Sequence, residues 1–155
     1  MTYFLFILCF FILAYAYLLY PAFLKKNALN KELIYAQFNA HDELPNVRIV
    51  IPICNEERII KQKLNSILQT NYPQEKITIY LGVDKSTDAT LAIIYNEYKL
   101  KNIVVTAYNE RQGKPAILNQ IIGQFPEDDA ILILTDANVL FTENTIFELV
   151  KYFKD

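Results

Sequence analysis

The sequence predicts an α/β protein: a mostly parallel sheet with flanking helices, preceded by one N-terminal transmembrane helix. Three observations carry that prediction. Short apolar runs alternate with segments of helical periodicity, the pattern of parallel βαβ units. Two of those runs end on a carboxylate, Asp84 and Asp136. An uncharged stretch opens the chain.

That opening stretch, Tyr3 to Leu24, is made of Phe, Leu, Ile, Ala and Tyr and their like. As a helix it spans roughly 33 Å, enough for a hydrocarbon layer of about 30 Å. Tyr15, Tyr17 and Tyr20 lie toward its C-terminal end, where aromatic rings favour the interface, and Lys25, Lys26 and Lys31 follow. The positive flank predicts a single-pass protein of the cell membrane, with the N-terminus outside and the main domain cytoplasmic. A cleaved signal peptide is the rival, and it fits less well because no Lys or Arg precedes this long run.

The chain has 155 residues and a formal net charge of −2, with no basic cluster beyond the lysines beside the span. Nucleic acid is therefore not an expected partner. Cys9 falls inside the span and Cys54 at the end of an apolar run. Neither reads as half of a disulfide framework, which agrees with a reducing compartment.

Residues 25–46 read as a juxtamembrane linker with a short helix-like stretch around Lys31 to Phe38. The single histidine, His41, is expected to be solvated there. The domain proper runs over 47–155. Val47 to Ile53 is the first strand, and Asn55 to Thr70 a helix with Ile60, Leu64, Ile67 and Leu68 on one face. Asn71-Tyr72-Pro73 ends it, because proline cannot continue a helix. Ile77 to Val83, Asn102 to Ala107 and Ala130 to Thr135 read as further strands. Helices are expected over Asp88 to Lys99, Lys114 to Gln124 and Glu143 to Phe153. The result is half of a doubly wound sheet, in which ligands bind beyond the carboxyl ends of the strands.

The chain has three glycines, Gly82, Gly113 and Gly123. That is too few for a Gly-rich phosphate cradle after the first strand, where the turn instead reads Pro52-Ile53-Cys54-Asn55-Glu56-Glu57. Any nucleotide phosphate must be neutralised elsewhere, and a divalent cation is the natural agent. Asp136-Ala137-Asn138 can supply one, since residues i and i+2 leaving a strand can project to one side and offer a carboxylate and an amide oxygen. The same triplet also suits a simple turn.

Other candidates are equally double-edged. Asn55 suits an N-cap with Glu56 and Glu57 favourably placed behind it, and Ser86 or Thr87 can cap the next helix with Asp88 in its first turn. Asp84 lies ahead of that cap, where its oxygens could accept from a base or ribose. Lys114 opens a helix against the macrodipole, which suggests that it balances the carboxylates or meets a phosphate.

Taken together and in order, these segments resemble the nucleotide-binding half of a family 2 glycosyltransferase. This is the GT-A fold (Rossmann-like) group that includes cellulose, chitin and hyaluronan synthases. The resemblance rests on Val50-Ile51-Pro52 with Asn55-Glu56-Glu57, Asn71-Tyr72-Pro73, Val83-Asp84 with Ser86-Thr87-Asp88, Gly113-Lys114 with Ala116 and Asn119, and Asp136-Ala137-Asn138. It implies a nucleoside-diphosphate sugar, a UDP-sugar, held by Pro52, Asn55, Glu56, Asp84, Lys114 and Asp136. It also implies Mg²⁺ or Mn²⁺ at Asp136 and Asn138, and inverting transfer to a glycan or lipid-linked acceptor.

Two residues depart from the family pattern. Asn138 stands where a second aspartate is usual, which lowers the expected metal affinity, and Lys85 stands where glycine commonly follows the first acid. Inverting transfer also needs a base to deprotonate the acceptor hydroxyl. In this family that base is a later carboxylate, followed in many synthases by a Gln-x-x-Arg-Trp motif. Only 17 residues follow Asn138 and the chain has no tryptophan. The expectation is therefore a donor-binding half, with no catalytic base before Asp155 and no turnover on its own. The alternative is a non-catalytic remnant that binds a nucleotide or a partner at the membrane.

Overall fold

The computed structural model describes residues 2–28, 36–39, 42–98 and 102–154. They form two compact units, divided between Tyr35 and Ala36.

The first unit is one continuous helical rod: α1 (Thr2–Ala14), a π-helical segment (Tyr15–Leu19) and α2 (Tyr20–Ala28). The widened turn has a local cause. Pro21 has no N–H to donate and its ring crowds the carbonyl four residues back, and a π-bulge relieves that conflict without ending the helix. The Tyr20 N–H accordingly bonds the Tyr15 carbonyl, five residues back. The stretch Tyr3–Ala28 is long and apolar enough to cross a membrane, with a mean hydropathy of 2.2. Its large side chains are exposed throughout.

The second unit begins at Ala36, ahead of the boundary expected at Val47. Phe38 donates its backbone N–H to the Lys151 carbonyl and packs with Leu44 against the core. The Tyr72 hydroxyl donates to the Pro45 carbonyl at 2.6 Å. Residues 36–39 have no regular structure. The rest of the helix-like stretch, 31–35, and His41 lie outside the described residues.

Four strands build the sheet: β1 (Val47–Ile53), β2 (Ile77–Asp84), β3 (Ile103–Tyr108) and β4 (Ile131–Leu134). All pairings are parallel, and the order is β3-β2-β1-β4. The chain thus winds outward through β2 and β3, then returns to the other side of β1. The central strand β1 is buried on both faces. Val47, Ile49, Ile51 and Ile53 join one cluster, and Val50 the other.

Four helices cover the two faces. α3 (Ile60–Leu68), α4 (Thr90–Glu97) and α6 (Thr145–Val150) pack into the larger cluster through Ile60, Leu64, Ile67, Ile94, Ile146 and Val150. α5 (Lys114–Ile122) covers the other face through Ile117 and Ile121. It lies so close over β2 that a Cβ on Gly82 would stand 2.2 Å from Ile117 Cγ2. That close approach accounts for glycine in the middle of a strand.

Each helix is shorter than the sequence suggested. α3 begins at Ile60, not Asn55, and α6 covers Thr145–Val150 within the expected 143–153. The reason at α3 is that the backbone of Asn55 to Glu57 spends its hydrogen bonds on a neighbouring loop.

Candidate functional site

The loops leaving β1 and β2 are joined at their carboxyl ends. Asn55 adopts a left-handed φ of 55°, a conformation that asparagine tolerates better than most residues. From there its N–H donates to Ser86 Oγ at 3.0 Å, and its Oδ1 accepts the Thr87 N–H at 2.8 Å. The Glu56 N–H donates to Thr90 Oγ1 at 2.9 Å. Glu57 and Asp88 exchange reciprocally: Glu57 N–H to Asp88 Oδ2, and Ala89 N–H to Glu57 Oε2, both at 3.0 Å.

Three expected caps are thereby reassigned. Asn55 does not cap α3, and neither Ser86 nor Thr87 caps α4; all three tie the two loops together. Asp88 does the capping instead, its Oδ1 accepting the Thr90 N–H at 3.0 Å. Desolvation works to raise the Asp88 pKa, but hydrogen bonds from Thr90 and the Glu57 backbone hold it below the usual carboxylate value.

Asp84, at the end of β2, is 5% exposed. Its Oδ1 accepts the Gln112 N–H at 2.7 Å and its Oδ2 the Gly113 N–H at 3.0 Å. The carboxylate therefore fixes the loop that starts α5. Gly113 at φ 82° needs the freedom of glycine, and no atom within 4 Å would meet a Cβ there. Lys85, the residue standing in a common glycine position, has φ 42°. Left-handed backbone costs a side-chain-bearing residue about 1–2 kcal/mol. Lys85→Gly is thus expected to preserve or raise stability by up to about 1 kcal/mol, against the usual penalty for glycine. Urea denaturation of the two proteins, compared at constant slope, checks this.

Asp136 and Asn138 flank Ala137, which is 4% exposed while both neighbours are exposed. The Val139 N–H closes a turn on the Asp136 carbonyl at 3.3 Å. The triplet is therefore a turn, and the side chains of Asp136 and Asn138 are both exposed. Lys114 Nζ reaches Asp136 Oδ1 at 2.5 Å, so the lysine at the start of α5 does balance a carboxylate.

A cleft of about 220 Å³ opens over these carboxyl ends, lined by Pro52, Cys54, Glu56, Asp84, Arg111 and Lys114 among others. Of the expected binding residues, Pro52, Glu56, Asp84 and Lys114 meet there, and Lys114 links the cleft to Asp136. Asn55 is placed outside the lining, held by the neighbouring loop. Arg111 was missed by sequence reasoning, although its position three residues before Lys114 in a polar loop made it a candidate. Larger hollows, of about 380 and 530 Å³, lie by Pro45 and Asp128 at the amino ends of the strands. They are the wrong end of an open α/β sheet for a ligand.

A hard divalent cation suits the oxygens of Asp136 and Asn138. Among the described residues, no group of three His, Cys, Asp or Glu side chains gathers around an ion position. Any ion here must therefore complete its shell with ligand oxygens and water. Cys9 and Cys54 are both free.

A parallel sheet wound as β3-β2-β1-β4, with helices on both faces and a cleft over the carboxyl ends of β1 and β2, is an α/β architecture of GT-A type. Residues 48–155 match the model of Glycosyl transferase family 2, and the chain belongs to that family. It is 35% identical over 100 residues to a poly(ribitol-phosphate) beta-glucosyltransferase of Bacillus spizizenii, covering 63% of this chain and 14% of the relative. It is 25% identical over 136 residues to a poly-beta-1,6-N-acetyl-D-glucosamine synthase of Staphylococcus epidermidis, covering 88% and 32%. Among solved structures, the mannosyltransferase PcManGT of Pyrobaculum calidifontis, in complex with GDP-Man and Mn²⁺, superposes with a TM-score of 0.74 at 25% identity. That match covers 88% of this chain and 40% of PcManGT. The chain thus spans less than a third of the length of these two curated relatives.

Proposed function

We propose that this chain is the donor-binding part of a membrane-anchored glycosyltransferase. The cleft over β1 and β2 takes a nucleoside-diphosphate sugar, a UDP-sugar, and the longer protein transfers the sugar with inversion to a glycan or lipid-linked acceptor. The observation that carries this reading is the join between the cleft and the Asp136 turn through Lys114: it puts nucleoside-sized space and a diphosphate-sized set of charges side by side.

In this reading the residues divide the donor between them. Asp84 has already committed one lone pair of each oxygen to the Gln112 and Gly113 amides, and its remaining lone pairs accept from the base. Pro52 and Glu56 wall the nucleoside. Lys114 exchanges Asp136 for a diphosphate oxygen, and Arg111 adds a second positive charge from the cleft wall. A divalent metal, Mg²⁺ or Mn²⁺, held by Asp136 and Asn138 would neutralise the diphosphate and favour its departure. The helix of Tyr3–Ala28 serves as the single-pass anchor, with the second unit on the cytoplasmic side.

Calorimetry of the full chain in detergent micelles tests the donor assignment. UDP is expected to bind saturably, more tightly with Mn²⁺ than without, and more tightly than GDP. Absence of heat from either nucleotide, with or without Mn²⁺, would overturn it.

A further inference from the structure

Among the described residues, one buried cation is used by none of the roles above. Lys63 lies on the buried face of α3, between Ile60 and Ile67, and is 0% exposed. Its ammonium donates to Thr135 Oγ1 at 3.1 Å and to the Val139 carbonyl, and stands 4.2 Å from the centre of the Phe141 ring. Thr135 is the residue before the Asp136-Ala137-Asn138 triplet and Val139 the residue after it. One turn further along α3, Ser66 Oγ accepts the Phe141 N–H at 3.1 Å while donating to the Lys63 carbonyl at 2.8 Å. The whole segment 135–141 is thus gripped from beneath by two side chains of one helix.

A buried ammonium is costly, and none of its hydrogen-bond partners here is a carboxylate. Desolvation lowers its pKa to about 8, with Asp136 acting through space to raise it. An apolar residue of the same length would fill this space at no such cost, so burial alone does not account for lysine.

We propose that Lys63 is a positioning residue that clasps the two ends of the Asp136–Asn138 turn from below and sets its competence to hold a diphosphate and its cation. The proposal rests on the donor-site reading for its ligand, but its structural half does not depend on any ligand. Without the clasp, Thr135 and Val139 lose their shared side-chain partner, and the turn is left with the Thr135 N–H bond to the Val50 carbonyl, its internal Val139-to-Asp136 bond and the exposed Lys114 pair, with Ser66 holding Phe141 beyond it. Lys114 then meets an Asp136 that no longer holds one position.

The test uses the full chain in micelles and the variant Lys63→Met, which keeps the stem and removes the charge. Three readouts are taken on both proteins: amide hydrogen exchange at 137–139, UDP affinity with Mn²⁺, and thermal midpoint. Exchange is expected to quicken and affinity to fall by at least about tenfold, with the midpoint unchanged or raised. Lysine as mere filling would leave exchange and affinity where they were, and that result overturns the proposal. So does a loss of affinity that a lowered midpoint fully explains. If Lys63→Met does not fold, Thr135→Val removes one partner alone and is expected to weaken UDP binding about threefold at the same midpoint; unchanged binding would again overturn the clasp. Failure of the parent chain to bind UDP sinks the donor reading instead, and the exchange measurement still decides the clasp.

Discussion

Asp136→Ala is expected to abolish the Mn²⁺-dependent part of UDP binding, while the chain keeps its fold. The side chain is half exposed and pairs with Lys114. Exposed pairs of this kind contribute about 0–1 kcal/mol, so stability should hardly change. The carboxylate is, however, the one formal negative charge that the turn offers a cation. Asn138→Asp is expected to act in the opposite direction, tightening metal-dependent binding by adding a second charge. Calorimetry with and without Mn²⁺ reads both variants. Equal metal dependence in the parent and both variants would place the ion elsewhere.

The second large effect is expected at Asp84, and it is an effect on the fold. Asp84→Asn keeps one acceptor and turns an NH₂ group toward a backbone N–H that formerly had a partner. At 5% exposure that donor has no water to replace the lost oxygen. The cost is expected to be about 1–3 kcal/mol, measured as a shift of the urea midpoint. Asp129→Asn, at an exposed position, provides the control and should cost next to nothing. Because the Gln112–Gly113 loop carries Arg111 and Lys114 on either side, the same variant should also weaken UDP binding.

These two acids illustrate how far the sequence could be read. Strands buried between helices read as continuous apolar runs, so β1 was legible at its observed bounds and the others within a residue or two. The acids at the ends of β2 and β4 were legible as site candidates for the same reason, since polarity at a strand end stands out against such runs. What could not be read was how their oxygens are spent. Asp84 bonds backbone amides 28 and 29 residues away, a pairing that exists only once α5 has packed over Gly82.

The helix starts failed on the same ground. Asn55, Ser86 and Thr87 are good capping residues, but in the folded domain they face one another across adjacent loops, and that pairing displaced the local preference. Lys63 is the intermediate case. Its spacing, three residues after Ile60 and four before Ile67, puts it on the apolar face, a signal that the sequence reasoning passed over. The identity of its partners depended on where the chain runs after β4.

The central claim is that a nucleotide and a cation meet at the Asp136 turn, over the carboxyl ends of the strands. Paramagnetic broadening of backbone amide resonances by Mn²⁺, recorded on the full chain in micelles with and without UDP, tests it most directly. With no third side-chain ligand gathered there among the described residues, the account predicts little broadening from Mn²⁺ alone. Added UDP should then broaden Asp136, Ala137, Asn138, Gly113 and Lys114 selectively. Broadening that ignores UDP, or that centres on Asp128 and Asp129 at the other end of the sheet, would contradict it.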